Sequence, residues 1–203
     1  MMDVYADLHI HIGRTEKGNA VKITGSKTLT LRNILQFASS RKGLDMIGVI
    51  DCHVPEVLNE IDELIQQGKL TELTGGGLRF RQTTLILGSE IEIYDPQCLG
   101  PIHVLTYFQT LEKMRDFSQW MSHHVKNISL STQRIYVDGR ALQKKVHELD
   151  GLFIPAHVFT PFKSLYGKGV KESLREVFDP KYIDAIELGL SSDTNMVGKI
   201  QEI

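Results

Sequence analysis

Cysteine is scarce in this sequence: Cys52 and Cys98 are the only two thiols among 203 residues. Two thiols without C-x-x-C spacing exclude a disulfide framework and a zinc ribbon, and they fit a reducing cytoplasm. Long apolar runs are missing as well. Nowhere do about 18 apolar residues follow one another, which excludes a membrane-spanning helix. The start, MMDVYADLHIH, has no basic stretch leading into an apolar one, as a secretory leader would. The protein is therefore expected in the cytoplasm, with no membrane partner. Neither sign of charge is in excess: 23 Lys and Arg stand against 25 Asp and Glu, giving a net charge of -2 and a pI of about 6.4. No global basic field draws in nucleic acid, so any contact with DNA must be local. The sequence also lacks G-x-x-x-x-G-K-[ST], and Gly75-Gly76-Gly77 has no Lys-Ser behind it, so no phosphate cradle for an ATP-driven motor is present. Without a G-x-S-x-G elbow there is no serine hydrolase signature either.

What is present is a hydrophobic fraction of 41%, enough for one core, and the reading is a single domain over 1–203. Short β-rich runs recur at VYADLHI, DMIGVID, TLILGSEIEI, IHVLTYF, GLFIPAHV and AIELGL, which predicts six strands. Stretches with apolar residues three to four apart predict helices over 31–41, 54–67, 111–125, 140–149 and 170–178. Leu111, Met114, Phe117 and Met121 form one such stripe, read as core-facing. Alternating strands and helices imply an α/β fold with a parallel sheet, open or closed into a barrel. Two long connections, 13–30 with Arg14, Lys17, Lys22 and Lys27, and 159–169 with Phe162, Lys163, Tyr166 and Lys168, follow strands. They occupy the face where such folds bind substrate, although solvated charged loops would read the same way.

The chemistry lies in the strands. Asp7, His9 and His11 alternate on the first, so their side chains are expected to converge while Leu8 and Ile10 face the surrounding layer. Imidazoles about 7 Å apart along a strand can lean onto one ion. Asp51 and His53 end the second strand; Glu90 and Glu92 stand on the third, His103 on the fourth and His157 on the fifth. A lone histidine in an apolar strand is usually a hydrogen-bonded core residue. Five successive strands each offering His, Asp or Glu reverse that reading, because so many buried ionisable groups would be costly without cations. Glu92 is read as an outer supporting group. His123, His124 and His147 fall in helices without partnered spacing, and Cys52 and Cys98 read as packing and structural residues.

The ordered series ADLHIH, IDCH, GSEIEI, PIHVLTYF and IPAHVFTP resembles the polymerase and histidinol phosphatase (PHP) superfamily along nearly the whole chain. The longer runs ISLSTQRIYVDGRALQ, GLFIPAHVFTPFKSLYG and AIELGLSSDTNM resemble its endonuclease Q branch. The resemblance implies a distorted (β/α)7 barrel with up to three zinc or manganese ions at the C-terminal ends of the strands. For that branch it implies cleavage of damaged DNA on the 5′ side of deaminated bases (uracil, hypoxanthine, xanthine) or abasic sites, by a metal-activated hydroxide. By the same resemblance, His9, His11 and Glu90 match the positions holding one metal, Glu90 bridging to a second held also by His103 and His157. His53 matches a ligand of the third, and Asp7 and Asp51 match supporting groups or further ligands. Lys163, Tyr166 and Arg14 are the expected substrate contacts. Family members continue to a seventh strand bearing an Asp-x-His pair and then to a cysteine-rich module. Here Asp193 has no histidine two residues later and is read as part of the loop after strand six. The expectation is thus six of seven strands, exposed edges at strands one and six, and a fragment that is unstable or inactive by itself. A phosphatase acting on a small ester and a non-catalytic remnant of the metal site are the alternatives.

Overall fold

A computed structural model of the chain describes residues 3–94, 96–190 and 192–200. They group into two compact units, Met1–Ser89 with Tyr107–Gln133, and Glu90–Thr106 with Arg134–Ile203.

In the first unit, β1 (Ala6–Ile10), β2 (Met46–Val49) and β5 (Thr83–Ile93) run parallel, and a short antiparallel hairpin of β3 (Thr71–Glu72) and β4 (Leu78–Phe80) continues the open sheet in the order β1-β2-β5-β4-β3. The hairpin was not legible as strand. Its turn is the triple glycine, where Gly76 and Gly77 take φ of 96° and 80°, a region closed to most side chains. Ile47, Val49, Leu85 and Leu87 are fully buried, as the continuous apolar runs of a covered parallel strand predict. Gly48 is needed here: a Cβ on it would lie 2.5 Å from the carbonyl oxygen of Leu8. A Cβ on Gly88 would lie 2.8 Å from the ring of Tyr107, whose hydroxyl donates to that same Leu8 carbonyl at 2.5 Å. Two glycines and a tyrosine thus set how closely β1 approaches the sheet.

Helix α1 (Leu31–Phe37) begins at Thr30, whose hydroxyl accepts from the Asn33 N–H, and passes into a π-helical turn, Ala38–Lys42, that ends at Gly43 in the left-handed region. Helix α2 (Pro55–Gln66) starts on a proline, which suits a first helical turn, and buries Val57, Leu58, Ile61 and Leu64. In α3 (Leu111–Ser122), capped by Thr110, the predicted stripe Leu111, Met114, Phe117 and Met121 is buried.

On α2, Glu60 is only 7% exposed. One carboxylate oxygen accepts from the Glu16 N–H at 2.6 Å, and the other is buried without a hydrogen-bond partner. Burial, against the lowering effect of that backbone bond, lifts its pKa to about 7, with Glu16, Glu56 and Glu63 adding to the rise. A carboxyl with a raised folded-state pKa stabilises the fold below its unfolded value, and that contribution is lost as pH rises through about 7. Glu60→Gln is therefore expected to raise stability at pH 8 by about 1–2 kcal/mol, or a few degrees in Tm, and to change little at pH 4; thermal melts at both pH values check this.

In the second unit, β6 (Ile102–Phe108) pairs with β5 and β8 (Leu152–Pro155), and β7 (Gln133–Ile135), which the sequence did not announce, pairs with β5. Strands β5 and β6 each contribute to both units. Helix α4 (Gly139–Glu148) is capped by Asp138, which accepts from Ala141 N–H at 2.6 Å, and buries Leu142 and Val146.

Two expected elements do not form. Over 185–190 the chain runs beside β8 without making a strand: Asp184 N–H donates to Phe153 and Glu187 N–H to Pro155. Three residues on one side thus match two on the other, and the ladder breaks. Over 170–178 only a 3-10 turn, Leu174–Glu176, is found. Glu176 folds back to accept from the N–H groups of Lys171, Glu172 and Ser173, closing one turn that no further residues extend. A last short helix, α5 (Thr194–Val197), has Asp193 as its exposed cap, accepting from Met196 N–H. Among the described residues no helix is long and apolar enough to cross a membrane.

Candidate metal centre

The histidines of the first unit are ordered by oxygen atoms from remote segments. The parallel ladder between β1 and β2 shifts register between Asp7 and Ile10. That irregularity breaks the simple alternation expected of Asp7, His9 and His11. The two imidazoles do meet, edge to face with centroids 5.5 Å apart. Asp7 is exposed and accepts from the His9 N–H at 3.3 Å. It lines a groove of about 760 Å³ together with Ile10, Leu29, Asn33, Phe37 and Leu44. The expectation that Leu8 packs under a covering layer also fails: β1 ends the sheet and Leu8 is 42% exposed.

Asp51 is fully buried; its Oδ2 accepts from Ile12 N–H at 2.7 Å and lies 3.1 Å from His11 Nδ1. A carboxylate there fixes the proton on Nδ1 and turns the Nε2 lone pair outward, the arrangement of a metal-binding imidazole. The atom facing that lone pair is the Lys22 ammonium, at 2.5 Å, so the site already attracts a cation. The other Asp51 oxygen is buried with no hydrogen-bond partner, an unbalanced acceptor of the kind a cation satisfies.

His53 is fully buried, and burial lowers its pKa, so the ring is neutral. Its Nε2–H donates to the Leu130 carbonyl at 3.3 Å, and its Nδ1 accepts from Ser89 at 2.8 Å. Both ring nitrogens are thus engaged in this arrangement.

The second unit gathers Glu90, His103 and His157, whose ligand atoms all lie within 4.8 Å of one another. Glu90 is 3% exposed and His103 7%. His103 Nδ1 is 2.9 Å from Glu90 and Nε2 is 3.4 Å from Glu92. Burial works against a charge on His103, but the bonds to Glu90 and Glu92 outweigh it and raise the pKa. The bond from His103, with Lys163 at 3.1 Å adding to it, lowers that of Glu92.

His157 is held from two sides: its N–H donates to Glu187 at 2.8 Å, and its Nδ1 faces the Thr160 hydroxyl at 3.2 Å. That hydroxyl donates to the carbonyls of His157 or Phe162, so it is placed to accept from Nδ1–H, with Nε2 turned to Glu90. Nε2 lies 3.5 Å from Glu90 Oε1. The imidazole nitrogen and the buried carboxylate oxygen thus stand side by side as ligand atoms. Ligands about 2.1 Å from a tetrahedral zinc ion stand about 3.4 Å apart, so the donor set fits a divalent ion with little movement. Glu187, Thr160, Ser89 and Ser131, whose hydroxyl is 3.1 Å from His11 Nδ1, were not picked out from sequence, and Lys22 was named there only as one of the cations of the 13–30 loop. Their residue types are common in loops, and only the fold brings them in.

Of the expected substrate contacts, Lys163 is exposed and pairs with Glu92. Tyr166 stacks on Phe159 with centroids 5.6 Å apart. Arg14 turns back to donate to the Gly18 carbonyl at 3.0 Å. His124 packs against Trp120 and His147 against Tyr182. Cys52 is buried, which pushes its thiol up to about 12; it is a packing residue, as its sequence context predicts.

No family model matches the chain. Protein YqxK of Bacillus subtilis (strain 168) is 63% identical over all 203 residues, which cover 52% of YqxK. Protein MJ0043 of Methanocaldococcus jannaschii is 28% identical over 156 residues, 76% of this chain and 16% of that one. Among solved structures, the lesion-specific endonuclease PfuEndoQ from Pyrococcus furiosus superimposes with a TM-score of 0.77 at 29% identity, covering 98% of this chain and 45% of that one. A complex of endonuclease Q with a 27-mer duplex substrate carrying an abasic lesion at the active site matches equally, with a TM-score of 0.77. The chain spans about half the length of YqxK and of these structures. In fold and in sequence, then, this chain is similar over nearly its whole length to the corresponding half of endonuclease Q.

Proposed function

We propose that this chain supplies the metal-binding half of a DNA-repair endonuclease, which hydrolyses phosphodiester bonds beside deaminated bases or abasic sites. The observation that carries the proposal is the gathering of the ligand atoms of Glu90, His103 and His157 within 4.8 Å of one another, with His157 Nε2 3.5 Å from a buried carboxylate oxygen of Glu90. Similarity to endonuclease Q, one structure of which holds an abasic duplex, supports the substrate class. The donors His9, His11, His53, Glu90, His103 and His157 are nitrogen and carboxylate oxygen, which suit zinc or manganese. Bound divalent ions would supply a nucleophilic water at neutral pH and neutralise charge building on the phosphate oxygens.

The protein's own part is orientation. Asp51 sets the His11 tautomer, Thr160 sets that of His157, and Glu92 holds the far nitrogen of His103. Lys22 in the first unit, and separately Lys163 in the second, carry positive charge that suits a phosphate. A distorted (β/α)7 barrel, with these strands forming part of it, is the architecture proposed for the complete protein, and a cytoplasmic location goes with it.

The test uses residues 1–203 alone and a chimera in which they replace the matching half of YqxK. Metal content is counted, and cleavage of an abasic duplex is followed as salt is varied. Bound divalent ions with strongly salt-dependent DNA binding and cleavage by the chimera are expected. Weak salt dependence with turnover of a small phosphate monoester would favour the phosphatase alternative instead.

A further inference from the structure

The second unit carries a surface feature that the metal centre does not use. Arg134, exposed on β7, lies over two tyrosine rings, its guanidinium carbon 4.5 Å from the ring centroid of Tyr94 and 5.4 Å from that of Tyr136. The same guanidinium donates to the Tyr94 carbonyl at 3.1 Å. The rings are held without being covered, since Tyr94 is 43% and Tyr136 52% exposed. Exposing two large aromatic side chains while a guanidinium holds each of them gives up burial, and it prepares ring faces that lose little entropy when something stacks on them.

Position matters as much as composition. Glu90, Glu92 and Tyr94 follow one another at a spacing of two along β5 and its end. In an extended chain such residues share a face, about 7 Å per step. Tyr94 follows directly on the strand that carries Glu90 and Glu92 to His103. Lys163 borders Glu92 there. Its neighbour Phe162 is 69% exposed, with the Lys168 ammonium 5.1 Å from its ring. Exposed rings interleaved with fixed cations are the pattern by which proteins hold unpaired nucleic acid, bases on the rings and phosphates on the cations.

We propose that Tyr94, Arg134 and Tyr136 form a stacking platform for an unpaired nucleobase of the strand that the metal centre cuts. This rests on the nuclease reading and adds to it how an unpaired stretch of DNA is held next to the cluster. A fully paired duplex keeps its base faces in its own stack and gains nothing from the platform. A base opposite or beside a lesion is already cheap to unstack.

The experiment titrates residues 1–203 into two oligonucleotides bearing the fluorescent base 2-aminopurine, one with that base unpaired next to an abasic site and one fully paired. Quenching with the unpaired probe and little with the paired one is expected. Tyr94→Ala and Tyr136→Ala should each weaken binding of the unpaired probe roughly tenfold, in line with the stacking energy of one base on one ring. Tyr136→Phe, which keeps the ring, should rescue binding. Arg134→Lys keeps the charge and loses the planar support, so it should reduce quenching more than affinity. Alanine variants that bind within twofold of wild type, or equal losses for Tyr136→Phe and Tyr136→Ala, overturn the platform. Cleavage of the abasic duplex by the chimera is measured beside it. Cleavage without quenching refutes the platform and leaves the nuclease reading standing, whereas quenching without cleavage supports the platform and counts against that reading.

Discussion

Glu90→Gln is expected to leave a folded chain whose divalent metal affinity falls by at least about 100-fold, with cleavage by the chimera down by about 1,000-fold. Glu90 is 3% exposed and faces two imidazoles. Glutamine has the same shape and removes a buried charge, so the fold has no reason to suffer. What it cannot supply is the negative charge that makes the gap between Glu90 and His157 attractive to a cation. Calorimetric metal titration of the wild type and the variant separates the two outcomes. Equal affinities would mean that any ion is held elsewhere.

Gly48→Val is expected to have the largest effect on the fold. Already a Cβ would sit 2.5 Å from the Leu8 carbonyl oxygen and 2.9 Å from its Cα, and both contacts are backbone, which cannot swing aside. Valine adds two methyl groups to that collision. Parallel pairing of β1 with β2 would have to open, at a cost of about 3 kcal/mol or more. His9 and His11 ride on β1 and its end, so their metal contribution should be lost together with stability. Denaturant unfolding gives the stability change. Gly48→Ala should show a smaller loss of the same kind, whereas a valine variant with unchanged midpoint would mean that β1 does not depend on close approach to the sheet.

The sequence was most legible where residue type and strand period coincide. Glu90, His103 and His157 were named from their strands, and the structure gathers them because β5, β6 and the segment after β8 bring their ends together. The helical stripe on α3 was legible for the same reason. Asp7 was not, because a register shift within β1 breaks the period on which the expectation rested. The strand expected over 185–190 depends on a continuous ladder, and a single extra residue against β8 defeats it. The helix expected over 170–178 had the right apolar spacing, but only the single 3-10 turn that Ser173 and Glu176 cap forms there. Thr160, Ser89 and Glu187, which set histidine tautomers and backbone position, carry no signal by themselves. Each is an ordinary polar residue until the fold places it within 3 Å or so of an imidazole or its backbone.

These histidines and carboxylates are expected to hold the ions that cut DNA. The direct measurement is cleavage of an abasic duplex by the chimera after chelation and then after adding back zinc or manganese, with bound metal counted at each stage. Cleavage that disappears on chelation, returns with the ions, and fails to return in His157→Ala is the predicted result. Cleavage that persists in the metal-free protein, or ions bound as tightly by His157→Ala as by the wild type, would contradict it.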